Sequence, residues 1–387
     1  MRVGLDLLYL VPEETGGRET YARELVPALL EHSSELELVA FVNRDAGPQL
    51  ARELGEGVRA VVVPVSARSR LQWALGELVL LSLAARRARV DLLHSMANFA
   101  PAWGRPRRVV TIHDLQYRAV PDLLSWPLRT ATGALVSLAA RRADRIIAVS
   151  DAGRQEIIAG LGVDAERIDV IPNGVRLPRP SVSSTRTVRE RHGLGEGRVV
   201  LAVASNLAHK NLPALVEAIS LIGSSERPLL AIAGHGTDDG ALGAQASAAG
   251  VAEDVRLLGT CSTEELDSLY ALADCLVLPT LHEGFGLPVI EAMARSLPVA
   301  CSDIPALREV AGSAALYFDP HAPTQMAARI AQLLADAELA ERLREAGRAR
   351  AARFSWFDAA AGTLESYTRA LAGRHRSGPT RAAATLR

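Results

Sequence analysis

Short apolar runs of strand type alternate along this chain with stretches in which apolar residues recur every three or four positions. In the first half the runs are Val3–Leu10, Leu38–Val42, Val58–Val65, Val90–His94, Val109–His113, Ile146–Ser150 and Ile168–Ile171. Between them the spacing predicts helices over Arg18–Glu31, Gln49–Leu54, Arg70–Arg87, Pro127–Arg142 and Asp151–Ala159. Such alternation predicts parallel strands joined by crossover helices, a doubly wound α/β domain.

After Pro172-Asn-Gly174 the pattern breaks. The segment from Arg176 to about Thr187 is rich in Pro, Ser, Arg and Thr and reads as an interdomain linker. The same alternation then restarts, with strands predicted at Val199–Ala204, Leu229–Ala233, Val255–Leu258, Cys275–Leu278, Val299–Ser302 and Leu316–Phe318. From Pro323 to about Ala372 the chain reads as almost continuous helix, and Gly373–Arg387 reads as a disordered tail. The predicted boundaries are 1–178 for a first Rossmann-like domain, 179–355 for a second, 356–372 for a terminal helix and 373–387 for the tail. Two such domains in series leave a cleft at the carboxyl ends of their strands, where ligands of open α/β sheets bind.

Composition agrees with two cores, since 387 residues exceed what one hydrophobic core serves. With 43 basic against 44 acidic residues, the chain lacks the strongly basic field that nucleic acid requires as a main partner. The start, Met1 to Leu10, carries Asp6 inside its apolar run and reads as a first strand, not a signal peptide. Cys261, Cys275 and Cys301 are odd in number, widely spaced and close to strands, as expected of buried thiols in a reducing cytosol. Of the 43 basic residues a single one is lysine, Lys210, which suggests that a compact ammonium is wanted at that position.

The densest candidate chemistry lies between Val277 and Ser296. A strand is followed by a loop and then by a helix from Leu287, with Pro288 in its first turn. Gly284 and Gly286 flank Phe285, so a ligand can approach N–H groups at the positive end of a helix, which favour a diphosphate or a sugar hydroxyl. Glu283 on the loop and Glu291 on the helix bracket this turn, spaced to meet different parts of one elongated ligand. A second strand-loop-helix phosphate site carries Ser205, Asn206, His209 and Lys210. Gly16 and Gly17, before Arg18, form a third glycine loop, and Gly234 and Gly236 flank His235 where either a turn or a nucleoside contact fits. His113 closes the fifth strand at the cleft, Ser150 is a helix cap with a ligand role left open, and Asn173 is placed at the mouth of the cleft.

Glu283-(seven residues)-Glu291 with Gly-Phe-Gly-Leu-Pro inside it resembles the donor-site signature of family-four retaining glycosyltransferases, which have the two-domain GT-B fold. The resemblance runs from Thr15 to the terminal helix, which in GT-B proteins crosses back onto the first domain. It implies an enzyme that moves a hexose from a nucleoside-diphosphate sugar to a glycan, lipid-linked or small-molecule acceptor. Lys210 would neutralise the donor diphosphate, with the helix start at Phe285–Leu287. Glu283 would orient the transferred sugar, Glu291 the ribose, and His113 the sugar's far side. No metal is expected. The sequence departs from the family pattern at Arg18, where a small residue is more usual, and at Ser205, Asn206 and His209, where many relatives carry a further cation. His209 and Arg18 are the two candidates to replace it.

Lys210-Asn211 after His209, Ile112-His-Asp-Leu115 and the glycine motif look most like mannosyltransferases of surface-polysaccharide assembly, so GDP-mannose leads, with UDP-glucose and UDP-N-acetylglucosamine open. A sugar-nucleotide epimerase and a non-catalytic nucleotide-sugar-binding protein are the alternative readings. A nicotinamide dehydrogenase is disfavoured, because no Gly-x-Gly-x-x-Gly follows the first strand. The expected location is the cytoplasm, with the inner membrane face left open by one element. The helix Arg70–Arg87 is too short to span comfortably and admits two readings, a core helix and a peripheral dock for a lipid acceptor.

Overall fold

The computed structural model describes residues 1–55, 57–120, 124–177, 185–238 and 240–373. The first sheet contains β1 (Arg2–Leu7), β2 (Glu37–Asn43), β3 (Val58–Val63), β4 (Leu92–Ser95), β5 (Arg107–Ile112), β6 (Arg145–Ala148) and β7 (Ile168–Val170). The second contains β8 (Val199–Val203), β9 (Leu229–Ala233), β10 (Val255–Gly259), β11 (Cys275–Leu278), β12 (Val299–Ser302) and β13 (Leu316–Phe318). The orders are β3-β2-β1-β4-β5-β6-β7 and β10-β9-β8-β11-β12-β13. Every pairing is parallel, for example Leu5 opposite Ala40 on one side and His94 on the other.

Each sheet thus reverses direction beside its first strand, β1 next to β4 and β8 next to β11. Such a switch point is where loops at the carboxyl ends of strands part and leave room for a ligand. The central strands β4, β11 and β12 are buried along their whole length, as expected of parallel sheets covered on both faces.

All thirteen apolar runs are strands, most of them trimmed at the ends. β1 stops at Leu7 because the Asp6 carboxylate accepts the Leu8 N–H at 3.1 Å and the Leu10 N–H turns back to the Leu7 carbonyl. Two expectations change. The linker is shorter than predicted, because Thr185–His192 is helical and buries Val188 in the second core; residues 178–184 of the predicted linker lie outside the described residues. The stretch Arg70–Arg87 is interrupted by a π turn at Gly76–Leu80, which carries Glu77 inward until it is 4% exposed. Only the end of that stretch, Leu81 and Ala85, joins the core fully.

The last helix, Trp356–Ala372, packs on the first domain. Trp356, Ala359, Ala360, Tyr367 and Ala370 share one core with Val3, Leu5, Tyr21 and Leu25. Fully burying one large apolar side chain is worth roughly 1.5–3 kcal/mol, so this helix is a structural member of that domain. It is anchored by polar contacts as well, with Tyr367 OH 2.7 Å from His94 Nδ1 and Arg369 2.5 Å from Asp169. The predicted tail beyond Gly373 lies outside the described residues.

Candidate active site

β11 ends at Leu278, and residues 279–286 lead to the helix Leu287–Ala294. A Cβ at Gly284 would overlap the His113 carbonyl oxygen, so this second-domain loop meets the end of β5 in a way that only glycine permits. Gly286 has a φ of +98°, and a Cβ there would also run into Leu307. Phe285, expected in the donor-binding set, has its ring in the second core, 4% exposed and edge-on to Phe354 at 5.6 Å. That ring anchors the loop, which leaves the Phe285 backbone as its candidate ligand contact. Leu287 bridges the two cores, packing partly against each.

The loop after β8 lies beside the loop after β11 because these strands are neighbours. Lys210 Nζ stands 2.6 Å from Glu283 Oε1, with both side chains mostly buried. Asn211 holds the two loops in register, its amide donating to the carbonyls of Pro279 at 3.0 Å and Pro320 at 2.8 Å. The His209 carbonyl accepts from Leu281 N and Thr280 Oγ1. Its ring is 4% exposed, and burial first, then the Lys210 charge, pushes its pKa down to about 4. Burial thus favours the neutral form of the His209 ring, one of the two candidates for the further cation.

Glu291 sits one turn into its helix and is 9% exposed. Tyr270 OH donates to its Oε2 at 2.9 Å. Burial raises its pKa against the pull of Arg295, Arg176 and the tyrosine. Arg295 pairs with the buried Asp267, donating Nε at 3.0 Å, and lies over the Tyr270 ring at 5.0 Å. This support is invisible in sequence. Tyr270 and Asp267 share a helix face at a spacing of three residues, but nothing in that spacing points to Glu291.

His113 is 8% exposed. Its Nε2 is 2.9 Å from the Met96 carbonyl, which can only accept, so Nε2 carries the proton and Nδ1 is left as an acceptor. The Asn98 side chain holds the His113 N–H at 2.8 Å, and the Tyr21 ring packs edge-on to the imidazole at 4.8 Å. Burial pushes its pKa down to about 4, helped by the Arg18 charge.

The domains meet around this loop. Ser150 caps the helix Asp151–Leu161 through Gly153 N and donates to the Gly284 carbonyl at 2.7 Å. Glu309 reaches from the second domain to accept the N–H groups of Asp151 and Ala152, at 2.7 and 2.8 Å. Its charge sits at the positive end of that helix, a favourable placement. His282 pairs with Glu156 at 2.9 Å. Gly17 faces the donor helix, since a Cβ there would stand 3.5 Å from Leu287 Cδ1, and Gly16 precedes it with a φ of +63°.

The structure thus gathers Gly17, His113, Lys210, Glu283, Gly284 and Leu287 through direct contacts or chain neighbours. Gly234 is required by packing, because a Cβ would strike the Ala204 carbonyl, and His235 is exposed on a turn whose carbonyl accepts the Asn206 N–H at 2.9 Å. Ser205 adjoins it, half-buried. Asn173 is 3% exposed, and Gly174 beside it is pressed against the backbone of Trp356. Among the described residues no three His, Cys, Asp or Glu side chains converge as a metal site.

Two doubly wound domains that meet at a glycine-lined loop, with a returning terminal helix, make this a GT-B glycosyltransferase fold. Anabaena Alr3699/HepE in complex with UDP-glucose superimposes with a TM-score of 0.76 over 95% of this chain and 100% of that one, at 19% identity. Residues 15–179 match the family described as Glycosyltransferase Family 4, and residues 184–350 match Glycosyl transferases group 1. The O-antigen chain mannosyltransferase B of Escherichia coli is 31% identical over 289 residues, 72% of this chain and 74% of that protein. A D-inositol 3-phosphate glycosyltransferase of Thermobispora bispora is also 31% identical, over 61% of this chain and 58% of its own length. The chain belongs to the family-four glycosyltransferases.

Proposed function

We propose that this enzyme transfers a hexose, with mannose from GDP-mannose as the leading donor, to a hydroxyl of a glycan, lipid-linked or small-molecule acceptor with retention at the anomeric carbon. The observation that carries the reading is the Lys210–Glu283 pair, set beside the donor helix and next to His113. Lys210 and the N–H groups at the start of the helix Leu287–Ala294 take up charge on the departing diphosphate, without a metal ion. Glu283 orients the transferred hexose, and the free Nδ1 of His113 accepts a hydrogen bond from a sugar hydroxyl. The acceptor oxygen bonds to the anomeric carbon on the face from which the diphosphate leaves, the bond to that phosphate breaks, and the acceptor proton passes to the leaving phosphate oxygen. Glu291 is assigned to the ribose, positioned by Tyr270. The similarity to the Escherichia coli O-antigen chain mannosyltransferase B supports mannose.

A second observation bears on where the acceptor is met. Leu71, Leu75 and Val79 are 86%, 51% and 37% exposed, spaced by four along one face, and Trp103 beside them donates its Nε1 proton to the Leu78 carbonyl. Arg70, Arg86 and Arg87 are exposed at the ends of this ridge, while its acid, Glu77, is buried. An apolar ridge between cations favours peripheral contact with an anionic bilayer carrying a lipid-linked acceptor. Among the described residues no helix is long and apolar enough to cross a membrane.

The test is thermal unfolding with GDP, UDP, ADP and their sugars, because a ligand bound only by the folded state adds about 2.7 kcal/mol at a hundred times its Kd. GDP and GDP-mannose are expected to raise the midpoint most, and transfer is expected to survive a chelator. A rise with UDP compounds alone overturns GDP-mannose, and no rise with any overturns the donor site.

A further inference from the structure

We propose that Arg18, on the first-domain wall of the cleft, is the second cation on the donor diphosphate; this rests on the nucleotide-sugar reading above. A sugar-linked diphosphate carries two negative charges, and more develops as it leaves. Lys210 meets them with its ammonium already shared with Glu283. The loop around it adds no arginine or second lysine, since Ser205 and Asn206 are neutral side chains and burial favours the neutral form of the His209 ring. Beyond the N–H groups at the start of the helix Leu287–Ala294, the second domain therefore offers the ligand one full positive charge in this loop.

Arg18 stands where the deficit is. It follows Gly17, whose α-carbon faces Leu287 at the start of the donor helix. One turn further along the same helix face, Tyr21 packs against His113. The Arg18 side chain is half-buried at this junction, and its charge acts on the His113 ring. Among the described residues no carboxylate pairs with it. The neighbouring acids are engaged elsewhere: Glu19 with Arg23 and the Glu13 N–H, and Glu14 with Arg68. A guanidinium that keeps no carboxylate partner beside His113 can make a bidentate phosphate contact. A donor bound this way is held by one cation from each domain.

The experiment is calorimetric titration of the whole chain with GDP, UDP and the matching monophosphates, for the wild type, Arg18→Gln and Arg18→Lys, with thermal midpoints recorded. Losing a charge-assisted contact should weaken diphosphate binding about tenfold or more, shift monophosphate binding much less, and leave the midpoint in place. Arg18→Lys should recover part of the loss. Equal diphosphate affinity in Arg18→Gln and wild type overturns the assignment. Loss in both variants together with a lowered midpoint makes Arg18 a packing residue and also overturns it. No diphosphate binding by the wild type overturns the reading on which it rests.

Discussion

Lys210 Nζ and Glu283 Oε1 stand 2.6 Å apart although their loops leave different strands, because β8 and β11 are neighbours at the switch point of the second sheet. Each residue is held in place by the other, and a ligand entering the site meets a fixed pair instead of two mobile chains. Preorganised charge of this kind costs nothing to arrange at the moment of reaction.

The pair should behave as a unit. Lys210→Ala and Glu283→Gln are each expected to lower kcat/KM by about 10² to 10³. The double variant should lose much less than the product of the two losses, as coupled neighbours do. Fully multiplicative losses in steady-state kinetics would show that the two act independently.

Gly284→Ala is expected to abolish transfer, because the new methyl group would occupy the position of the His113 carbonyl. The second domain should still fold and bind nucleoside diphosphate, since the clash lies between domains. Titration with GDP, alongside an assay of transfer, separates these effects; wild-type turnover would mean that the loop does not close on β5 during reaction.

Acid should destabilise the fold through its buried histidines. Burial pushes the pKa of His94 down to about 3, with His113 lowering it further. His113 and His209 are each pushed down to about 4. Their unfolded values lie near 6.5, so this stability is present above about pH 6.5 and is lost as pH falls through the folded values. Each contributes a slope on the order of 1.4 kcal/mol per pH unit in that window. The unfolding midpoint should fall between about pH 6 and pH 4, and His113→Gln should flatten that fall; an unchanged slope in the variant would assign the charge burial elsewhere.

The ridge is tested with vesicles. Wild-type protein is expected to float with vesicles containing phosphatidylglycerol and to remain behind with pure phosphatidylcholine. Leu71→Asp with Leu75→Asp should abolish flotation without lowering the thermal midpoint, because both side chains are already more than half exposed. Equal flotation of the variant would remove the membrane contact from the reading.

The strands were legible because each is a short apolar run between turn residues, and the close approaches of the loop after β11 were legible because Gly284 and Gly286 mark where a backbone must come near something. What sequence could not supply are the partners. Glu309 caps a helix 158 residues away, Tyr367 bonds to a histidine 273 residues away, and Tyr270 supports Glu291 from a separate helix. None of these pairs leaves a local spacing. The π turn was hidden for a different reason: its apolar positions at Leu78 and Leu80 are compatible with an ordinary helix, and only the inward path of Glu77 shows the extra residue. The burial of the His209 ring, which favours its neutral form, is likewise invisible in the sequence, where a histidine beside a lysine is a candidate cation.

The crossing of the last helix sets an order of events during synthesis. Val3, Leu5 and Leu25 leave the ribosome early, yet part of the surface that covers them is Trp356, Ala360 and Tyr367. A domain usually folds as it emerges. Here the first domain is made before the helix Trp356–Ala372 that completes its core, so part of its apolar face stays uncovered until that helix has been synthesised. Premature stops after the second domain would leave that face uncovered, and the quality-control cost of such fragments would fall on the half that was made first.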